Sequence, residues 1–312
     1  MSEQTEPTKK KKSTRRTSTR KKTTADAALS KARPSEPKAE KPRIIFNSSM
    51  PRSGSELLQV LLHQNPRIYG SATSPLLEYQ FACRNQRTLP EVRAQLQNLM
   101  DQSFINLCSD LAYAYYRDLT DRPIVCDKNR GWSHYYEWVQ QWHPEKKPRM
   151  ICMVRDLRDI IASFERIYRE NRDLPIGPDV PVQLQNLTLE ERCHHWLNTA
   201  PVGLALRRTK DLIARDLTDD ILFVRYEDLC DEPDVIMDQI YEYLEEEPFE
   251  HDFDNIKKEI EEDHTVFGPY GNHQVHSKLK PVRHNGWKDV LDKDIAKAIR
   301  DNFGWYFDEF QY

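Results

Sequence analysis

The segment Ser48-Ser49-Met50-Pro51-Arg52-Ser53-Gly54-Ser55-Glu56 gathers the residue types that bind an anion, and it stands between two apolar stretches. Before it runs Arg43-Ile44-Ile45-Phe46-Asn47, a continuous apolar pattern expected of a strand buried on both faces. After it come Leu57, Leu58, Val60, Leu61 and Leu62 on a helix. Gly54 lets the backbone curl close to a ligand. Ser53 and Ser55 carry hydroxyls, the helix start offers N–H groups and a positive dipole end, and Arg52 adds a planar fork of donors. The set suits phosphate or sulfate. A GxxxxGK[ST] loop would place Lys where Ser55 stands, so magnesium-assisted triphosphate hydrolysis is disfavoured.

A second anion-binding arrangement follows about a hundred residues later, in Met150-Ile151-Cys152-Met153-Val154-Arg155-Asp156-Leu157-Arg158-Asp159-Ile160-Ile161-Ala162-Ser163. It reads as a buried strand ending in Arg155, with Asp156 capping a helix. Ser163, two turns along, returns toward the side where that helix starts. An arginine at a strand end with a nearby hydroxyl suits a terminal phosphate. Lys128 closes a third apolar run, Pro123-Ile124-Val125-Cys126-Asp127. For a base, the sequence offers Glu78, His134 and Asp127.

These residues need a scaffold that brings strand ends together. Four short apolar runs, 43–47, 123–126, 150–154 and 221–224, alternate with long amphipathic stretches. That alternation predicts a three-layer α/β/α sandwich around a central parallel sheet, like that of the P-loop nucleoside triphosphatases. Ligands of such sheets bind beyond the carboxyl ends of the strands. Val92, Leu96, Leu99, Leu107 and Leu111 recur as one helix face. Thr188 and Glu191 form a capping-box pattern, and the helix they open should break near Pro201.

The strand, the Pro51-Arg52-Ser53-Gly54-Ser55 loop and the helix ending at Asn65-Pro66 resemble the 5′-phosphosulfate loop of sulfotransferases that use 3′-phosphoadenosine 5′-phosphosulfate (PAPS). The tyrosylprotein and Golgi-type branches are closer than the small-molecule cytosolic branch. The Val154-Arg155-Asp156…Ser163 arrangement is similar to the same family's 3′-phosphate motif. Tyr226-Glu227-Asp228-Leu229 resembles a segment whose tyrosine approaches the nucleotide, and Lys280 to Lys288 resembles a late loop that closes over it. The resemblance spans about residues 43–310. It implies PAPS as co-substrate without a metal, and a hydroxyl or amine acceptor on carbohydrate or protein. It further implies cofactor contacts from Arg52, Ser53, Gly54, Ser55, Glu56, Arg155, Ser163, Tyr226, Arg283, Gly286, Trp287 and Lys288, and a catalytic role for Lys128 at the bridging oxygen. Two departures stand out. Glu56 falls where the family often has Ser or Thr, and must point away from a bound anion. Ala72 stands where the tyrosylprotein branch has its catalytic glutamate, leaving Glu78 and His134 as base candidates.

Residues 1–43 carry 14 Lys and Arg against 5 Asp and Glu, a charge of +9, whereas 44–312 carry 32 against 45, or −13. The first 42 residues hold few large apolar side chains and are expected to be a disordered basic tail, open to an anionic partner, with a single domain over 43–312. Arg52, Lys128, Arg155, Arg283 and Lys288 must converge if an acidic body is to hold a polyanion. No apolar stretch reads as a signal peptide or bilayer span, and six scattered cysteines read as free thiols, so a cytoplasmic setting is expected. Two other functions fit the same loop: a P-loop kinase-like enzyme, and a nucleotide-binding protein without catalysis. Stretches 71–87 and 169–187 are expected to meet the acceptor.

Overall fold

The computed structural model describes residues 41–143, 147–171, 182–259, 262, 266 and 275–312. The basic tail, through residue 40, and much of the 169–187 stretch therefore lie outside the described residues. In chain order the main elements are β1 (Arg43–Asn47), α1 (Ser55–Gln64), β2 (Ile68–Thr73), α2 (Leu76–Asn85), α3 (Gln97–Tyr116), β3 (Ile124–Lys128), α4 (Tyr136–Trp142), β4 (Met150–Val154) and α5 (Leu157–Asn171). Then come α6 (Leu189–Asn198), α7 (Val202–Ala214), β5 (Ile221–Arg225), α8 (Tyr226–Asp231), α9 (Pro233–Leu244), α10 (Lys293–Asn302) and α11 (Gly304–Phe310).

The five strands form one parallel sheet in the order β2-β3-β1-β4-β5. Alternation along each strand sorts side chains into two cores. Ile44, Phe46, Val125, Met150 and Cys152 pack toward α2 to α7, α10 and α11. Ile45, Cys126, Ile151, Met153 and Val224 pack toward α1, α8 and α9. Both sheet faces are covered, which is why the strands read as unbroken apolar runs. The result is the expected α/β/α sandwich.

β2 was not among the four runs read from the sequence. Its sequence, Ile-Tyr-Gly-Ser-Ala-Thr, has a central glycine and few large apolar residues. Gly70 is needed because a Cβ there would stand 2.3 Å from the Gln59 carbonyl oxygen of α1. The single helix face expected over Val92 to Leu111 is also corrected. A short turn, Pro90–Arg93, is separated from α3, and Leu96, Leu99 and Leu107 are exposed. α3 instead buries Cys108, Ala112 and Tyr116, whose four-residue steps define the real inner face. The capping box at Thr188 and Glu191 forms, and α6 ends at Asn198, three residues before Pro201. All six cysteines are free, and all but Cys83 are buried.

Register aligns Thr73 with Lys128 and Lys128 with Asn47, so three strands end level with one another. Beneath that rim Asp127 is fully buried, accepting hydrogen bonds from the Tyr116 hydroxyl (2.6 Å) and the Trp132 indole (2.7 Å). Burial raises its pKa, and these donors oppose the rise. Asp127 is therefore a core residue that ties α3 and the Trp132 turn to β3, rather than a base. Replacing it, Asp127→Ala, leaves two buried donors unpaired and should cost about 3 kcal/mol or more, read as a lower urea midpoint at unchanged m-value.

Candidate functional site

After Asn47 the chain keeps pairing with β4 for a few residues. Ser48 N–H donates to Ile151 O and Met50 N–H to Met153 O, both at 2.9 Å. Two serines complete this anchorage. Ser49 Oγ accepts the Met153 N–H at 2.9 Å, and Ser53 Oγ lies 2.7 and 2.9 Å from the Met50 and Met153 carbonyls. Ser53 was expected to offer its hydroxyl to a ligand; fully buried and bonded to backbone, it shapes the loop instead. Arg52 and Gly54 then take positive φ, 60° and 85°. At Gly54 a side chain is excluded twice, by that φ and by the Tyr226 ring, since a Cβ would lie 2.4 Å from Tyr226 Cδ2. Gly54 leaves the start of α1 without a side-chain cap, so the first-turn N–H groups open toward the loop.

Arg155 emerges from the end of β4 directly beneath this loop. Its Nη1 donates to the Arg52 carbonyl at 3.0 Å, and its guanidinium stands 4.6 Å from the Tyr226 ring centre. Its Nε is buried with no hydrogen-bond partner among the described residues. Asp156 caps α5 by accepting the Arg158 N–H, and it also binds the Arg158 guanidinium. Ser163, two turns on, accepts a hydrogen bond from Arg52 Nε at 3.2 Å. Burial, then the nearby Arg155 and Arg130 cations, hold the Arg52 guanidinium below its ordinary pKa. Crowded cations and an unpaired buried donor are complementary to one class of ligand, an anion.

A cavity of about 350 Å³ opens beside this cluster, lined by Arg52, Gly54, Arg155, Tyr226, Lys280 and Arg283 among others. Lys128 adjoins it through Glu56, which lines the cavity wall. Glu56 does not confront the anion site as an open charge. It accepts hydrogen bonds from the ammonium groups of Lys128 and, at 2.8 Å, Lys258. Burial alone would raise its pKa, but the two lysines outweigh that and bring it down to about 2. Lys128 also faces Glu262 Oε2 at 3.9 Å, and Glu262 Oε1 accepts the Thr73 N–H at 3.1 Å.

This geometry can be set against known proteins. A family model described as the Sulfotransferase family matches residues 42–251. The chain belongs to that family. The sulfotransferase domain from the curacin biosynthetic pathway superposes with a TM-score of 0.50 at 18% identity, covering 84% of this chain and 98% of that one. The sulfotransferase domain from the Synechococcus PCC 7002 olefin synthase gives 0.43 at 18%, covering 84% and 96%. Retinol dehydratase in a complex with retinol and PAP gives 0.44 at 14%, covering 84% and 80%. Identities this low speak for the fold alone. A comparison with curated proteins gives no significant match.

The remaining residues that the sulfotransferase resemblance singled out divide. Tyr226 packs between Gly54 and Arg155, as described. Arg283 lines the cavity mouth, largely exposed, with its guanidinium on Asp289. Gly286, Trp287 and Lys288 do not line the cavity. The Gly286 carbonyl accepts from Arg166 of α5 at 2.6 Å, and Trp287 is buried under the Arg158 guanidinium, which leaves Lys288 beside the indole. Their apolar contact with α5 decides their placement. Of the five cations expected to converge, Arg52, Arg155 and Arg283 line the cavity and Lys128 reaches it through Glu56, while Lys278 and Lys280 stand where Lys288 was expected. Glu78 is exposed near the same strand ends, accepting the Asn129 side-chain N–H at 2.9 Å. His134 sits apart, its Nδ1 3.5 Å from Asp211 of α7 in an exposed charge cluster with Arg215 and Glu137. Lys258, Glu262 and Arg130 were not singled out from the sequence, because no local motif marks them.

Glu56 has its folded pKa depressed below the ordinary 4.5, so its contribution to stability is present above that value and is lost as pH falls toward 2. Glu56→Gln should destabilise the protein by about 3 kcal/mol near pH 7. Urea titrations from pH 7 down should show that difference shrinking between about pH 4.5 and 2, with the wild type losing its advantage.

Proposed function

We propose that this chain transfers a sulfuryl group from PAPS to a hydroxyl or amine of its acceptor. The observation that carries this reading is the meeting of Arg52, Arg155 and Ser163 around Gly54 and Tyr226, with the Arg155 Nε buried and unpaired. PAPS supplies an activated sulfuryl group on its 5′-phosphate and a second anion at the 3′ position. The protein's share is positioning and charge stabilisation. The Gly54-Ser55 turn and the open start of α1 suit the 5′-phosphate. Arg155, Ser163 and Arg52 suit the 3′-phosphate, and the Tyr226 ring closes the gap between the two arms. Lys128, oriented by Glu56, is the group assigned to charge developing on the bridging oxygen.

The domain is taken to run from 43 to 312, because the C-terminal helices brace the site: the Tyr306 hydroxyl donates to the Arg155 carbonyl at 2.9 Å. No described helix is long and apolar enough to cross a membrane. The free cysteines are in keeping with the reducing, cytoplasmic setting that the sequence suggests. The Pro51-Arg52-Ser53-Gly54-Ser55 loop, similar to that of the tyrosylprotein and Golgi-type branches, favours a carbohydrate or protein acceptor. The basic tail would then give an anionic partner a place to bind. A triphosphate-using kinase is the weaker reading, since Ser55 stands where its loop lysine belongs.

Desulfated PAPS, the bisphosphate PAP, should raise the melting temperature of the protein more than ATP at equal concentration. Arg155→Ala should weaken PAP about 100-fold by titration calorimetry, the worth of a charge-assisted contact. A protein stabilised by ATP but not by PAP would be a kinase-like enzyme, and binding of PAP without transfer from labelled PAPS to any acceptor would indicate a non-catalytic binder.

A further inference from the structure

The short helix α8 has two ends with different tasks. Its first residue, Tyr226, forms part of one wall of the anion cavity. Behind Tyr226 the helix is well anchored, because Leu229 and Cys230 are buried and Glu227 accepts the Asp156 N–H at 3.2 Å. The facing wall is formed by Lys280, Pro281, Val282 and Arg283, together with residues just before them. These four belong to a stretch, 280–285, that contains neither helix nor strand. It hangs between two firm points. Before it, Leu279 N–H donates to Phe253 O at 2.8 Å. After it, the Gly286 carbonyl accepts from Arg166 at 2.6 Å and Trp287 is buried. Within the stretch only the Val282 side chain packs against the core, and the other five residues are exposed.

The last residue of α8, Asp231, spans the gap to this strap. Its Oδ1 accepts the Val282 N–H at 3.0 Å, and its Oδ2 stands 2.7 Å from Nε2 of His284. A carboxylate only accepts hydrogen bonds, so that Nε2 carries the hydrogen. Among the described residues, the other hydrogen bonds made by 280–285 run to Lys288 and Asp289, in the turn that follows directly. One carboxylate therefore ties the strap, at two places, to the same helix that supplies Tyr226.

We propose that Asp231 is a positioning residue that latches the 280–285 strap to α8 and so sets how long an anion stays in the cavity. With the latch closed, Lys280 and Arg283 stand at the cavity opposite Tyr226, and both walls are held by one side chain. With it open, the strap is free to swing between its anchors at Leu279 and Gly286, and the two cations leave with it. Asp231 and His284 keep 30% and 59% of their side-chain surface in water, so the latch opens without exposing the core. Asp231 does not line the cavity and acts on a ligand only through the strap.

The inference rests on the sulfuryl-transfer reading for the identity of the ligand, and PAP is the probe. The test compares the full-length wild type with Asp231→Ala and Asp231→Asn. Strap opening is read by brief trypsin treatment, with mass spectrometry following the new N-terminus at His284. Lys280 precedes a proline and resists trypsin, which leaves Arg283 as the cleavable point of the strap. Ligand residence is read as the dissociation rate of PAP by surface plasmon resonance. Asp231→Ala should be cleaved after Arg283 about tenfold faster than wild type and should release PAP about tenfold faster, the worth of a charge-assisted hydrogen bond. Its urea midpoint should stay close to that of wild type, which shows that the body is folded. Asp231→Asn, whose amide oxygen still accepts from Val282, should lie between the two in both readouts. Bound PAP should slow cleavage in the wild type. Wild-type cleavage in Asp231→Ala, or faster cleavage with an unchanged PAP dissociation rate, would overturn the inference while leaving the sulfuryl-transfer reading intact. A wild type that does not bind PAP would overturn that reading, and with it the role of the strap in holding the ligand.

Discussion

The carboxylate of Glu56 lies between Lys128 and Lys258, and through it the first turn of α1, the last residue of β3 and the segment after Phe253 are tied at one point. Taking charges out of water is costly, and a buried pair of this kind adds little net stability compared with apolar side chains of the same volume. What it fixes is position. Removing Glu56 withdraws the carboxylate that both ammonium groups share, so α1 cannot shift relative to β3 without a loss. The anion loop is the stretch between β1 and α1, and its shape follows from that restraint. Ser53 and Ser49 hold the other side of the loop to β4.

A second set of restraints holds Arg155. Its backbone carbonyl accepts from Tyr306 of α11, and the next residue, Asp156, gives its N–H to Glu227 of α8 at 3.2 Å. Glu227 in turn accepts from the Tyr312 hydroxyl at 2.8 Å. The guanidinium is thus held toward Arg52 and Tyr226 by elements from the last ninety residues of the chain. Burial first, and then the neighbouring Arg155 and Arg130 cations, lower the Arg52 pKa, so bringing these guanidinium groups together is unfavourable. An anion that enters relieves the repulsion and meets donors already in place, which reduces the reorganisation needed on binding.

How much of this could be read from the sequence depended on whether the signal was local. β1, β3, β4 and β5 announce themselves because strands buried on both faces must be apolar throughout. The Gly54 turn and the Asp156 cap need specific residues at specific positions. The Thr188 capping box is equally local. β2 escaped because close packing on α1 demanded Gly70, which breaks the apolar pattern. The stripe from Val92 to Leu111 misled because helical spacing says nothing about which face finds a partner, and Leu96, Leu99 and Leu107 found none in this fold. Gly286 and Trp287 were assigned to the ligand from resemblance, whereas the indole is buried by packing on α5. Lys258 and Glu262 had no signal at all. Their partners, Glu56, Thr73 and Lys128, lie more than a hundred residues earlier, and only the folded chain brings them together.

The charge arrangement explains why a loop can carry Glu56 beside an anion site. A triphosphate loop keeps its lysine on the loop itself; here the lysine comes from the neighbouring strand, on a flexible stem whose ordering costs up to about 2 kcal/mol. Glu56 offsets that cost by holding Lys128 where the strand ends meet. Its negative charge would weaken anion binding if it stood alone, but Lys258 and Lys128 together leave the trio with a net positive charge. Glu262, which faces Lys128 and acts on the Arg130 cation, adds a negative charge at the strand ends, while Arg52 and Arg155 stand on the Tyr226 side. The body's −13 acts over longer distances, and at physiological salt it is screened beyond about 8 Å. Close to the loop, the sign of the potential is set by these few side chains, and a loop that appears to carry the wrong charge is compatible with an anionic ligand.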